Sequence, residues 1–367
     1  MLMKNVSLIT IHVGSNFGSN LQTIATCEIL KKMNCNTIVL NYIPERCTFR
    51  RFCSKRSKSI FTILTTPISA ITFLLNRKIY HNFLKKYVTL SNPIYSKDNF
   101  IDKCPKADIY ITGSDQVWNS IHNEGLDVRY YFDGFPKGVK KIAYSSSIGR
   151  EKLGDSEYAE VKRMLGSYKA ISVREVSAQA IIASMGYHVS CLLDPTFMLD
   201  KLEWVKYMSK RFVKEAYILV YLPYNIHNKG LIYKSVRQIA QSKNLKVVAF
   251  SWTMHQEKLA DTTIYFASPG DFLSLMYYAD VVITNSFHGT AFSINLNKLF
   301  YVYLPTGFGT RIMSILQLCS LEHRLLKPEE IISKKKIDDA IDYKLVNTIL
   351  DGERMKTYTF LNKALNE

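Results

Sequence analysis

Three short stretches of this 367-residue chain carry side chains suited to proton transfer and anion binding. The first is Ser286-Phe-His-Gly-Thr290. Asn285 and Ser286 are N-cap residues, which start a helix and leave its first-turn amides open. His288 then stands where a helix N-terminus favours negative charge. An imidazole there can move a proton, and Ser286, Gly289 and Thr290 can hold an anion through the cap and the amides. The plainer reading is a His that only satisfies a helix end. The second stretch is Gly113-Ser-Asp-Gln-Val-Trp-Asn119. Asp115 can act as a base or bind a hydroxyl, and Trp118 can stack on a sugar ring, or the segment is a capped turn with Trp118 in the core. The third is Ser172-Val-Arg-Glu175, whose Arg174 offers a planar fork to a carboxylate or phosphate, or an ion pair to Glu175.

Each stretch follows a short apolar, β-branched run of the kind that forms buried parallel strands. Val281–Ile283 precedes the His segment, Ala107–Thr112 precedes the Asp segment, and Lys169–Glu175 carries Arg174 at its end. Parallel strands place such residues at the carboxyl edge of a sheet, where open α/β sheets bind ligands. Val6–Val13, a turn at Gly14–Asn20 and a helix at Leu21–Met33 begin the same pattern, closed by a strand at Thr37–Tyr42. The turn contains Asn16 and Gly18 and lacks Gly-x-Gly-x-x-Gly, so the dinucleotide fingerprint is missing. Further strands are expected at Lys141–Ser147 and His188–Leu193. A polar helical connection at Phe197–Glu215 leads to a second α/β half with strands at Tyr217–Leu222, Leu245–Phe250, Thr263–Phe266 and Leu299–Tyr303. A helix is expected from Gly307 to Leu318. The fold class is α/β, with a Rossmann-like N-terminal domain at 1–200 carrying an insertion at about 45–90. A C-terminal Rossmann-like domain covers 201–330, and a helical tail at 331–367 folds back on the first domain.

The net charge of +17 suits nucleic acid, an anionic membrane or small phosphorylated substrates. Arg46 to Lys58 holds six positive charges and no acid, and Ser59 to Asn76 holds no charge at all. Eighteen uncharged residues with Pro67 and several threonines are too few and too polar for a span. Two readings stand. In one, the basic run meets anionic headgroups while Phe61, Ile63, Leu64, Ile68, Ile71, Phe73 and Leu74 dip into a membrane. In the other, the insertion packs on its domain behind a solvated basic loop. The regular basic and aromatic interleaving of a nucleic-acid surface is absent, so nucleic acid is not an expected partner. Seven scattered cysteines without a Cys-x-x-Cys point to free thiols in a reducing cytoplasm, and no signal peptide precedes the first strand. No cluster has metal-ligand spacing.

Taken in order, Asn16-Phe-Gly-Ser-Asn-Leu-Gln22, Gly113-Ser-Asp-Gln-Val-Trp-Asn119, Ile142-Ala-Tyr-Ser-Ser-Ser-Ile-Gly149, Ser172-Val-Arg-Glu175, Leu193-Asp-Pro-Thr196 and Ser286-Phe-His-Gly-Thr290 resemble the polysaccharide pyruvyl transferase family. The resemblance implies two Rossmann-like domains facing a cleft, a GT-B-like arrangement. It implies a transferase that moves a pyruvyl group from phosphoenolpyruvate to a sugar of a surface or extracellular polysaccharide precursor, forming a ketal and releasing phosphate. No cofactor is expected beyond phosphoenolpyruvate as co-substrate. His288 would be the acid and Asp115 its catalytic partner. Arg174, Ser286, Gly289 and Thr290 would bind the donor. Asn16, Gly18, Gln116, Trp118 and Asn119 would bind the glycan acceptor, whether free, nucleotide-linked or lipid-linked. Several members of the family carry Arg two residues before this His, where this chain has Ser286. The missing charge must come from Arg311 or Lys298, or the donor is not phosphoenolpyruvate. A GT-B glycosyltransferase using a nucleotide sugar and a non-enzymatic basic membrane adaptor are the alternatives. The expected location is cytoplasmic, or peripheral at the inner face of the cell membrane through Arg46–Lys58.

Overall fold

The structure, a computed structural model, describes residues 3–56, 60–252, 256–306 and 309–367, with the side chains of 56 and 60–65 outside the description. Lys58, the side chains of Phe61, Ile63 and Leu64 in the insertion, and the expected helix start at Gly307 therefore lie outside what is described. The chain divides into two compact units, Met1–Met198 with Glu353–Glu367, and Leu199–Gly352.

The first unit is built on a seven-stranded parallel sheet. In chain order its strands are β1 (Lys4–Ile9), β2 (Cys35–Val39), β3 (Thr89–Leu90), β4 (Ile109–Thr112), β5 (Lys140–Ser146), β6 (Ala170–Val173) and β7 (Ser190–Cys191), arranged β3-β2-β1-β4-β5-β6-β7. Leu8 pairs with both Val39 and Ile111, and all three are wholly buried. Helices cover both faces of such a sheet, which is why its strands are apolar throughout and do not alternate. The chain lays β2 on one side of β1 and β4 on the other, so strand order reverses between β1 and β4. That reversal opens a crevice at their carboxyl ends.

The second unit repeats the plan with six parallel strands, β8 (Tyr217–Tyr221), β9 (Lys246–Ser251), β10 (Thr262–Tyr265), β11 (Val281–Thr284), β12 (Leu299–Tyr303) and β13 (Leu325–Leu326). Their order is β10-β9-β8-β11-β12-β13, so the reversal here lies between β8 and β11.

The connection at Phe197–Glu215 is not the helix expected of it. Only a single turn at Lys201–Trp204 and a 3-10 turn at Val205–Tyr207 form, and 208–216 is irregular. A capping box of Asp200 and Glu203 starts the turn. Trp204 is then pinned in the core, 5.0 Å from the ring of Phe292, and Arg211 spends its guanidinium on the carbonyls of Val213 and Lys214. Tertiary anchoring outweighs helix propensity in so polar a segment.

The insertion is helical. A helix α2 (Phe49–Arg56) precedes a 28-residue helix α3 (Ile60–Tyr87) that runs through Pro67. The two pack through aromatic rings, with Phe73 of α3 at 4.5 Å from Phe52 and 6.0 Å from Phe49. Part of the basic run is tied down: Arg46 bonds to His122 and Asn123, and Arg51 and Lys55 pair with Glu124. No described helix is long and apolar enough to cross a membrane. The last helix, Tyr343–Asn366, contributes its final residues to the first unit. There Arg354 donates to the carbonyl of Phe197, and Lys4 and Lys140 donate to that of Leu365.

Candidate functional site

In the second unit, β11 ends at Thr284 and the chain turns into a helix at Phe287–Asn295. Thr284 Oγ1 donates to the carbonyl of Tyr221 on β8 and accepts from the amide of Ser286. Asn285 bonds back to Tyr224 through its amide nitrogen, which fixes the loop after β8 beside the helix start. Ser286 is the N-cap, its Oγ accepting from the amide of Gly289. Thr290 Oγ1 donates to the Ser286 carbonyl. The helix start is pressed so close to β11 that a Cβ on Gly289 would lie 2.2 Å from Thr284 Oγ1. His288 is buried on the first turn, its ring edge-on to Phe287 at 5.1 Å. The His segment therefore sits at the sheet's reversal point.

Of the two cations expected to replace a charge at Ser286, Arg311 is the one that lies beside the His segment. It lies in the helix Thr310–Leu318, is buried, and holds its guanidinium carbon 5.6 Å from the Phe287 ring. Lys298 is excluded by position. It precedes β12 and donates to the carbonyl of Ala279, before β11 begins, so it lies at the amino edge of the strands. Burial first, and Lys201 second, lower its pKa to about 8.

In the first unit, the turn after β1 and the turn after β4 meet at the reversal point. Asn16 caps the helix α1 (Phe17–Lys32) by accepting from the amide of Ser19. Ser19 Oγ donates to Asp115 at 2.5 Å. Asp115 adopts a left-handed backbone, φ +72°, as does Ser145 at +49°. Such strain costs about 1–3 kcal/mol per residue and persists only where the surroundings over-determine it. Here the Ser147 amide donates to the Asp115 carbonyl, and Ser145 is held by Ser172 and the carbonyl of Leu193.

These side chains converge on Arg174, whose side chain is 0% exposed. It donates to Asp194 at 2.5 Å, Asp115 at 3.1 Å and Ser114 at 3.2 Å, and lies 3.9 Å from Glu175. Desolvation opposes its charge, and the three carboxylates more than restore it, so its pKa is raised. Glu175 in turn accepts from Ser147 Oγ and from the amides of Ile148 and Gly149.

This network corrects several expectations. Arg174 is not placed to bind a donor, because its fork is already filled by protein carboxylates in the interior. Asp115 has both oxygens engaged, by Ser19 on one side and by Arg174 and the Gln116 amide on the other, so it positions α1 and does not stand as a base. Trp118 is core: it stacks on Tyr131 at 5.3 Å and donates to the Tyr130 carbonyl. Gln116 and Asn119 are buried and bond to each other at 2.7 Å, packed under Gly149. Asn16 remains half-buried and Gly18 buried at the start of α1. Ser19, Glu175 and Asp194 were given no site role from sequence. The signal for Asp194 was present, an Asp-Pro pair ending a strand in line with Arg174. Only the fold reveals that the two meet. Among the described residues no group of three His, Cys, Asp or Glu could hold a metal ion. All seven cysteines are free.

The model of the family described as Polysaccharide pyruvyl transferase matches residues 16–304. No curated protein matches the chain by sequence. Among solved structures, Arabidopsis thaliana UGT89C1 complexed with UDP-L-rhamnose is similar at TM-score 0.51 and 8% identity, over 98% of each chain. The S. aureus MnaA structure with UDP is similar at TM-score 0.50 and 13% identity, over 99% of this chain and 91% of that one. At such identities the likeness concerns fold: mixed α/β, with two Rossmann-like domains in the GT-B manner.

Proposed function

The chain belongs to the polysaccharide pyruvyl transferase family, and we propose that it transfers the pyruvyl group of phosphoenolpyruvate to two hydroxyls of a glycan. The observation that carries this reading is the placement of Arg311 against Phe287, on the helix turn that bears His288. A proton donor, a guanidinium and the positive end of a helix then share one end of one sheet.

The reaction asks for that set. Protonation of the methylene carbon by His288 makes the adjacent carbon cation-like, and a glycan hydroxyl attacks it. Phosphate leaves as that carbon–oxygen bond breaks, and the second hydroxyl closes the ring. One hydroxyl proton restores the acid, and the other departs with the phosphate. Arg311 and the positive end of the helix dipole stabilise the phosphate as its charge grows, in a buried setting where such groups act strongly. The Arg174 network holds the first turn of α1, with Asn16 and Gly18, in one geometry at the carboxyl edge of the first sheet.

The test is incubation with phosphoenolpyruvate and a glycan carrying a neighbouring pair of hydroxyls, followed by phosphate assay and mass spectrometry. Phosphate release together with a ketal adduct supports the reading. UDP release from a UDP-sugar with no reaction of phosphoenolpyruvate would replace it by glycosyl transfer.

A further inference from the structure

On the first unit lies a cavity of about 340 Å³ between the loop after β1, the end of β2 and helix α3. Its volume is within the range of small-molecule sites. Four of its lining residues are basic or imidazole: His12, Arg77, Lys78 and His81. None of its lining residues is acidic. His12 is buried, with Nδ1 3.2 Å from the Thr10 carbonyl and Nε2 3.4 Å from Asn41 Oδ1. Partial burial first, and then Lys85 and Arg77, hold His81 below its ordinary pKa. Tyr80, also on the lining, stacks on Phe17 of α1 at 5.5 Å, so the cavity wall is joined to the helix that carries Asn16 and Ser19.

Helix α3 has a second unabsorbed feature. Ile68, Ile71, Leu74 and Leu75 are exposed large apolar side chains. They recur at helical spacing and continue at Lys78, four residues after Leu74, so they form one stripe that ends at the cavity. Leu74 belongs to both. The face that binds α2 is a different one, through Phe73. An apolar stripe with a cationic pocket at its end matches the two halves of one kind of molecule.

We infer that this surface binds a phosphate-headed amphiphile, its phosphate or diphosphate in the cavity lined by His12, Arg77, Lys78 and His81 and its hydrocarbon chain along Ile68, Ile71 and Leu74. Charge complementarity chooses the head, because two fixed cations and two imidazoles face no acid. The stripe chooses the tail. The inference does not depend on the reaction proposed above, since it concerns binding alone.

The experiment is calorimetric titration of the full chain with farnesyl diphosphate, inorganic pyrophosphate and farnesol, at concentrations below micelle formation. Farnesyl diphosphate is expected to bind at least tenfold more tightly than either fragment. The double variant Lys78→Gln/His81→Gln should weaken both phosphates. Ile71→Ser/Leu74→Ser should weaken farnesyl diphosphate to the level of pyrophosphate while leaving pyrophosphate itself unchanged. All four positions are exposed, and unchanged melting curves would verify that the variants fold. Equal affinity for pyrophosphate and farnesyl diphosphate, or unchanged binding in the Lys78/His81 variant, would overturn the inference. Two further outcomes also overturn it: capture by phosphatidylglycerol vesicles without binding of soluble farnesyl diphosphate, which assigns the surface to a bilayer, and a dimer that Ile71→Ser/Leu74→Ser dissociates without changing ligand affinity. Ketal formation on a soluble glycan with no amphiphile binding would remove this inference alone.

Discussion

Arg174 and Arg311 are both buried, but they meet different surroundings. Arg174 is enclosed by Asp115, Asp194 and Glu175, so its charge is consumed inside the protein. Removing it would leave three carboxylates buried without compensation. Arg174→Met is expected to lower stability by about 3–5 kcal/mol in chemical denaturation. Arg174→Lys should not rescue it, because one ammonium cannot span the fork's separate partners. Arg311 holds its guanidinium against the Phe287 ring. Arg311→Gln is expected to raise the KM for phosphoenolpyruvate roughly 10- to 100-fold, the loss of one charge-assisted contact, as measured by phosphate release. His288→Gln should lower kcat by about 10²–10⁴-fold with donor affinity retained, as measured by phosphate release and by calorimetry. An unchanged kcat would remove His288 from the acid role.

At the level of elements, the β11-to-helix junction depends on Gly289. Any side chain there meets Thr284 Oγ1, whose own bonds hold β8 and the Ser286 amide. Gly289→Ala is expected to destabilise by about 1–3 kcal/mol through overpacking. It should also reduce phosphate binding, since the helix start must retreat from the strand. At the other end of that helix, Lys298 gives a pH test. Its folded pKa is lowered to about 8 while the unfolded chain keeps the ordinary lysine value. Between the two values the unfolded state binds more protons, so stability attributable to this group rises with pH across that window and its cost is complete below pH 8. Lys298→Met should therefore raise the melting temperature at pH 7, and the gain should shrink as pH climbs from 8 toward 10.5. A gain independent of pH would place the effect in packing.

For the molecule as a whole, the two units are not two consecutive segments. Residues 353–367 return to the first unit, where Leu361 and Leu365 are buried and Lys4 and Lys140 donate to the carbonyl of Leu365. Two buried leucines alone stabilise by about 1.5–3 kcal/mol each. A chain ending at Gly352 is expected to lose on the order of 5 kcal/mol from its first unit, seen as an early transition in denaturant with the later one little moved. A single unshifted transition would contradict this.

What the sequence determined by itself was the α/β pattern, the strand that delivers each motif, and the helix cap that precedes His288. These are local: β-branched runs, N-cap residues and turn residues declare themselves over a few positions. Partner choice is not local. Whether Arg174 faces ligand or carboxylate depends on Asp115 and Asp194, 59 and 20 residues away. Whether Trp118 stacks on sugar or on Tyr131 depends on how the loop after β4 closes. The choice between Arg311 and Lys298 is made by which edge of a sheet each helix end reaches, and the irregular course of 208–216 is set by where Trp204 is buried. Strand order decides the rest, because the reversals between β1 and β4 and between β8 and β11 set which turns, those of Asp115 and His288, stand at the carboxyl-edge crevices.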